Sequence, residues 1–243
     1  MDYEGQALKE ANQLTDLEIL DFLDQLEKIP SPRSPINGKQ ARLCFEFMED
    51  TGCRVNETIH VKKQDIDFRT RILTVTEPKT EERCKCSKWM YKDLYSRQKV
   101  LKYADPKCSK CHGKGKYKQP QLTTITPRLI GKLKEYCKDM KDYELLFHVS
   151  RQSLWKWGDV AGQKANLGIY QQKKIRKIEG IFLHLFRALC SKRMIRDFKE
   201  YDYKDQLVAK KLRHSFRFVT DRYTQIDIHY LLKCEDEVYD FLK

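Results

Sequence analysis

Two short β-branched runs, Arg71-Ile72-Leu73-Thr74-Val75-Thr76 and Gln121 to Thr126, are separated by about forty residues, whereas hairpin strands are usually joined by two to five. A connection of that length needs a scaffold of its own. Its composition offers one, because Cys84-x-Cys86 and Cys108-x-x-Cys111 form two pairs with 21 residues between them. Four thiolates presented from two knuckles suit a tetrahedral zinc ion. Cys-x-Cys is a tighter bite than Cys-x-x-Cys, which leaves His112 as an alternative to one thiol. A closed four-ligand site has no open position for catalysis, so the expected role of the metal is structural. Eleven lysines and arginines from Lys85 to Lys118 alternate with Tyr91, Tyr95, Tyr103 and Tyr117, a pattern that suits contact with a nucleic-acid backbone.

The flanking sequence is helical. Thr15-Asp16-Leu17-Glu18 has the form of a capping box, and Leu17, Leu20, Leu23 and Leu26 follow at helical spacing. Pro30, Pro32 and Pro35 end that helix. A second helix carrying Leu43, Phe47 and Met48 runs to Gly52, which suits a helix end. From Thr126-Pro127, a cap followed by proline at the first helical position, helical patterning continues almost to the C-terminus. Lys164 to Lys177 is basic enough for a loop. The expected class is α+β: a mostly helical catalytic domain with a small antiparallel β-sheet and a zinc-binding insertion between two hairpin strands. The expected division is 1–80 and 120–243 for the main domain, with 81–119 as the insertion.

Lys and Arg number 48 against 35 Asp and Glu, a net charge of +13, which points to a polyanionic partner and leaves the reaction open. No apolar run reaches the roughly 18 residues of a membrane span, and the N-terminus has no signal-peptide pattern, so a cytoplasmic location is expected. The five isolated cysteines, Cys44, Cys53, Cys137, Cys190 and Cys234, sit in apolar or helical patterns and read as small buried hydrophobes.

The chemistry-bearing residues fall into ordered motifs. Thr51-Gly52-Cys53-Arg54-Val55-Asn56-Glu57 resembles the first signature box of the tyrosine recombinase (phage integrase) family, T-G-x-R-x-x-E, and His184-Leu185-Phe186-Arg187 resembles its H-x-x-R box. Leu212-Arg213-His214-Ser215 resembles the L-G-H-S element, with Arg213 where glycine is usual. Val219-Thr220-Asp221-Arg222-Tyr223-Thr224 resembles the segment that holds the nucleophile, and Lys79 lies just past the Ile72–Thr76 strand, where the family places its catalytic lysine. The match covers most of the chain, from about Leu14 to Ile226, interrupted by the insertion.

This resemblance implies the family's catalytic domain without the DNA-clamping domain that often precedes it. It implies that Arg54 and Arg187 clamp a scissile phosphate, that Tyr223 attacks phosphorus to give a 3′-phosphotyrosyl link, and that Lys79 protonates the leaving 5′-oxygen. His184 would assist proton transfer, His214 would donate to a non-bridging oxygen, and Glu57 would support the clamp. Double-stranded DNA is the implied substrate, with self-assembly as a dimer or tetramer on DNA, and no cofactor is needed for the chemistry. A different register is also open: Leu212-Arg213-His214-Ser215-Phe216 looks like the L-R-H-T-F run that often completes the second box, with Lys210 in the histidine's place and the nucleophile about thirty residues on, beyond the end of the chain unless Tyr239 serves. Two further functions remain, a zinc-containing DNA-binding regulator that has lost activity and a type IB topoisomerase.

Overall fold

The computed structural model describes residues 14–30, 36–76, 78, 81–92, 99–165, 167, 181–213 and 226–240. The chain divides into two compact units, one of Met1–Thr74 with Leu122–Lys243, the other of Val75–Gln121. No helix of the described residues is long and apolar enough to cross a membrane.

The first unit is built around a nearly buried helix. Helix α1 (Asp16–Glu27) begins at the expected capping box, where the Thr15 hydroxyl accepts from the Glu18 N–H at 3.2 Å and the Glu18 carboxylate accepts from the Thr15 N–H at 2.8 Å. Helix α2 (Gly38–Thr51) has a second capping box, between Asn37 and Gln40. Every residue of α2 from Leu43 to Thr51 is buried, Glu46, Glu49 and Asp50 included. Helix α3 (Val55–Thr58) is a single turn. Strands β1 (Ile66–Asp67), β2 (Ile72–Val75) and β7 (Gln121–Thr124) form one sheet in the order β1-β2-β7, so the two β-branched runs are neighbours despite their separation in sequence. Sequence periodicity gave no sign of the two-residue strand β1, which is too short to show alternation.

Helices α4 (Pro127–Tyr136), α5 (Arg151–Lys164), α6 (Ile181–Asp197), α7 (Lys204–Lys211) and α8 (Ile228–Asp240) complete this unit. Most of the basic loop expected at 164–177 lies outside the described residues. Phe22 of α1, Phe45 of α2 and Phe186 of α6 meet with ring centroids 4.8 to 5.5 Å apart and lock three helices together. A second cluster joins α6, α7 and α8 through Met194, Phe198, Leu207, Leu212, Leu231 and Cys234. All five isolated cysteines are buried, as small hydrophobes should be.

Two polar networks lie inside this core. Asp50 accepts from the Thr126 N–H at 2.9 Å and its hydroxyl at 2.5 Å, which ties the start of α4 to the end of α2. The fully buried Lys211 ammonium donates to Thr124 O at 2.9 Å, to Thr124 Oγ1 at 2.8 Å and to Glu235 Oε1 at 2.7 Å. All three ammonium protons therefore have acceptors, as a buried lysine requires. These bonds fasten α8 to strand β7 and to the end of α7 within the same chain.

Gly52 ends α2 in the left-handed region, φ 62°, and a Cβ there would lie 2.4 Å from Leu212 Cδ2. Gly52→Ala is expected to lower stability by about 2–4 kcal/mol, through backbone strain and overpacking together. Urea unfolding would measure this. A loss below about 1 kcal/mol would show that Leu212 yields and that the close approach is not a constraint.

The second unit contains no helix among its described residues. Strands β3 (Glu82–Arg83) and β6 (Lys116–Tyr117) pair antiparallel, as do β4 (Ser87–Tyr91) and β5 (Lys99–Ala104). Cys84 and Cys86 lie between β3 and β4, and Cys108 and Cys111 between β5 and β6. The second knuckle turns through His112, Gly113 and Gly115, with φ of 48°, 77° and 69°.

Candidate phosphate site and cysteine cluster

The end of α2, the turn into α3, the middle of α6 and the end of α7 bring three arginines around one carboxylate. Glu57 of α3 is 2% exposed. Its Oε2 accepts from the Arg54 N–H at 2.8 Å and from Arg213 Nη2 at 2.6 Å, while its Oε1 accepts from Arg54 Nη1 at 3.2 Å. The T-G-x-R-x-x-E spacing explains half of this arrangement. Arg54 precedes the helical turn and Glu57 is its third residue, so the carboxylate folds back onto the N–H before it as in a capping box. Arg213 supplies the rest from a distant part of the chain. Its backbone adopts φ 57°, the left-handed conformation that glycine takes most readily, at the position where the L-G-H-S element has glycine.

Arg187, one turn beyond His184 on α6, is buried and donates through Nη1 to Gly52 O and through Nη2 to Leu212 O. It therefore joins the backbone of the first box to the residue before Arg213. Six residues on, Arg193 does similar work for α2, donating to Glu49 Oε1 at 2.7 Å.

Charge balance distinguishes this cluster from an ordinary buried ion pair. Burial pushes the Arg187 guanidinium down to about 10, and repulsion from Arg54 and Arg213 adds to the shift. It remains protonated at neutral pH. Burial works to raise the Glu57 carboxyl, but Arg213, the Arg54 N–H and the Arg54 charge outweigh it and hold the group below the usual carboxylate range. Three guanidiniums face one carboxylate, so the site carries an excess of positive charge in a place of low solvent access. Arg213 Nε is buried without a hydrogen-bond partner among the described residues. Such a site attracts an oxyanion with forked donors to match.

The structure thus brings Arg54, Glu57 and Arg187 together and sets His184 on the same helix as Arg187. Lys79, His214 and Tyr223 lie outside the described residues. Arg213 was expected as a substitute for glycine in one register and as the arginine of the L-R-H-T-F-like run in the other. Its ion pair with Glu57 is a tertiary contact across 156 residues, and the only hint of it in the sequence is a charged residue where a small one is usual. Tyr239, the nucleophile of the other register, is held otherwise. Its hydroxyl donates to Asp197 Oδ2 at 3.3 Å, its ring packs on Phe198, and burial drives its hydroxyl far above the ordinary tyrosine range.

In the second unit the four sulfurs of Cys84, Cys86, Cys108 and Cys111 all lie within 4.8 Å of one another. Cys84 and Cys108 are 3.6 Å apart, Cys86 and Cys111 3.4 Å. A tetrahedral ion with bonds of about 2.3 Å needs sulfurs roughly 3.8 Å apart, so the donor set could hold a metal ion with little movement. His112, the alternative fourth ligand, is not part of this group among the described residues. Backbone N–H groups of Cys111 and Lys110 help bring the Cys108 thiol down to about 6.

The chain is similar to the structure of the XerH site-specific recombinase bound to difH substrate, a pre-cleavage complex. The two are 18% identical with a TM-score of 0.49, over 87% of this chain and 49% of that one. Similarity to the same recombinase bound to palindromic difH substrate, a post-cleavage complex, is at 18% identity and TM-score 0.49, over 94% and 50%. The chain spans about half the length of those proteins. No family model and no curated protein matches it.

Proposed function

We propose that this chain breaks and rejoins duplex DNA through a 3′-phosphotyrosyl intermediate, as a site-specific recombinase does. The observation that carries the reading is the cluster of Arg54, Arg187 and Arg213 around Glu57, which collects excess positive charge at the motif resembling the family's first box. Arg54 would receive the non-bridging oxygens as charge builds in the pentavalent transition state. Tyr223 would form the bond to phosphorus as the 5′-oxygen departs, taking its proton from Lys79. His184 would help remove the tyrosine proton, and His214 would donate to a phosphate oxygen. A second DNA strand's 5′-hydroxyl can reverse the step, because the phosphotyrosyl bond retains the energy of the phosphodiester. Four-cysteine zinc would be structural, and DNA-bound dimers or tetramers would be the working assembly.

The hydrogen bonds favour a second reading of the clamp, in which Arg213 takes the place first given to Arg187. Both arginines donate to backbone carbonyls, Arg187 to Gly52 and Leu212 and Arg213 to Thr51, Gly52 and Lys211, but Arg213 also shares the Glu57 carboxylate with Arg54. Arg187 would then position the two boxes, and Arg213 would touch the phosphate beside Arg54. The sequestered hydroxyl of Tyr239 argues against that residue as the nucleophile in this register.

The test is trapping on a library of nicked suicide duplexes with randomised cores, read on a denaturing gel and by sequencing. A covalent adduct that disappears in Tyr223→Phe supports the proposal. Absence of any adduct while duplex binding persists would sink it in favour of a DNA-binding regulator. Supercoil relaxation by dilute monomer would favour a type IB topoisomerase. Arg213→Lys and Arg187→Lys separate the two clamps: the residue that touches phosphate should lose adduct formation without loss of thermal stability.

A further inference from the structure

The Val75–Gln121 unit carries thirteen Lys and Arg against five Asp and Glu, so eight of the chain's thirteen net positive charges fall in 47 of its 243 residues. Within it the β3–β6 ladder sets Arg83 directly opposite Lys116. Both are exposed, and like charges facing each other across a ladder repel. Among the described residues neither has a carboxylate partner; each instead lies over the indole of Trp89, at 5.2 Å and 5.0 Å from the ring centroid. The Trp89 N–H donates to Ser87 Oγ at 2.8 Å, and that hydroxyl donates in turn to backbone carbonyl oxygens of the cysteine turns, Cys84 O and Gly115 O. Two cations paired across the ladder therefore share one aromatic ring.

We infer that Arg83 and Lys116, seated on Trp89, form a phosphate-binding site through which this unit grips the backbone of duplex DNA, separately from the arginine cluster around Glu57. An oxyanion between the two cations would relieve their repulsion, and the ring's negative face already holds them in place. The unit's charge excess extends the contact along a polyanion. The site depends on the cysteine knuckles. Arg83 immediately precedes Cys84, whose N–H donates to Gly115 O at 2.9 Å, and Gly115 immediately precedes Lys116. A metal held by the four thiolates would brace the ladder and, with it, the two cations.

The experiment uses the full chain carrying Tyr223→Phe, so that no strand is cut and binding is measured apart from the proposed chemistry. Fluorescence anisotropy with a labelled duplex of arbitrary sequence is followed across a salt series. Arg83→Gln with Lys116→Gln is expected to weaken binding roughly tenfold and to reduce the slope of log K against log salt by about 1.8, the share of two phosphate contacts. The charge-conserving Arg83→Lys with Lys116→Arg should retain both, and Lys116 should be protected from acetylation when DNA is bound. Zinc content and circular dichroism verify that the double variant is folded. Unchanged affinity and slope in a folded double variant would overturn the inference, as would an effect confined to single-stranded RNA. Absence of any adduct with the unsubstituted chain, with an intact contact here, would refute the strand-exchange reading and leave this one standing.

Discussion

With zinc proposed on the four cysteines, a strong chelator is expected to unfold the Val75–Gln121 unit and leave the helical unit intact. The reason is the near absence of an apolar core. Apart from Pro78, the buried hydrophobic side chains among its described residues are Val75, where the chain enters, and the clustered cysteines Cys84 and Cys111. Met90, Val100, Leu101 and Tyr103 of its longer hairpin are all exposed. So little burial among the described residues falls short of the conformational entropy lost in ordering them, about 1–2 kcal/mol each. A four-thiolate zinc site supplies about 10–16 kcal/mol in small domains at neutral pH, which is the right order to make up the difference. Addition of a strong chelator should therefore open the unit to limited proteolysis between the β2 and β7 strands, and zinc should restore protection. Cys108→Ser should mimic the chelator. The thermal transition of the helical unit, followed by circular dichroism, should barely move. Protease resistance that survives complete metal removal would show that the unit is held by something other than the metal.

Glu57→Gln is expected to destabilise the helical unit by about 3–5 kcal/mol, because it leaves buried guanidiniums without their counter-charge. The glutamine can still accept from the Arg54 N–H, so the loss reports on charge more than on the hydrogen bond. Glu57→Asp, which keeps the charge on a shorter side chain, should recover part of it. Acid should reproduce the effect. The Glu57 carboxyl titrates lower in the folded protein than in the unfolded chain. Its contribution is therefore fully present above the unfolded value, about 4, and is lost as pH falls through the lower folded value. Urea unfolding of wild type and Glu57→Gln across that range should give stabilities that converge at low pH. A wild-type advantage below about 0.5 kcal/mol at neutral pH would mean that the guanidiniums are neutralised by another route.

These two predictions concern parts of the chain that were legible in sequence to different degrees. The four cysteines announced their cluster by spacing alone, because C-x-C and C-x-x-C are local turns that point neighbouring thiols to one side. The helices were legible for a similar reason. Capping boxes, helix-ending glycine and apolar periodicity are short-range properties, and α1, α2 and α4 begin or end where those signals stand. Pairing of Arg83 with Lys116 over Trp89 was not legible, since it depends on which residues face each other across a two-residue ladder.

By itself the sequence determined the local grammar: a mostly helical chain with a strand pair interrupted by a cysteine-rich insertion, a large positive excess, and a T-G-x-R-x-x-E turn that folds its own carboxylate back on its own arginine. Tertiary structure alone decided which distant cation shares that carboxylate. Arg187 was marked by its motif, yet it is bonded to the carbonyls of Gly52 and Leu212, while Arg213 reaches Glu57 from the end of α7. Motif spacing records distance along the chain. A buried carboxylate is instead neutralised by whichever guanidinium packing brings within hydrogen-bonding range, and packing is a property of the whole fold.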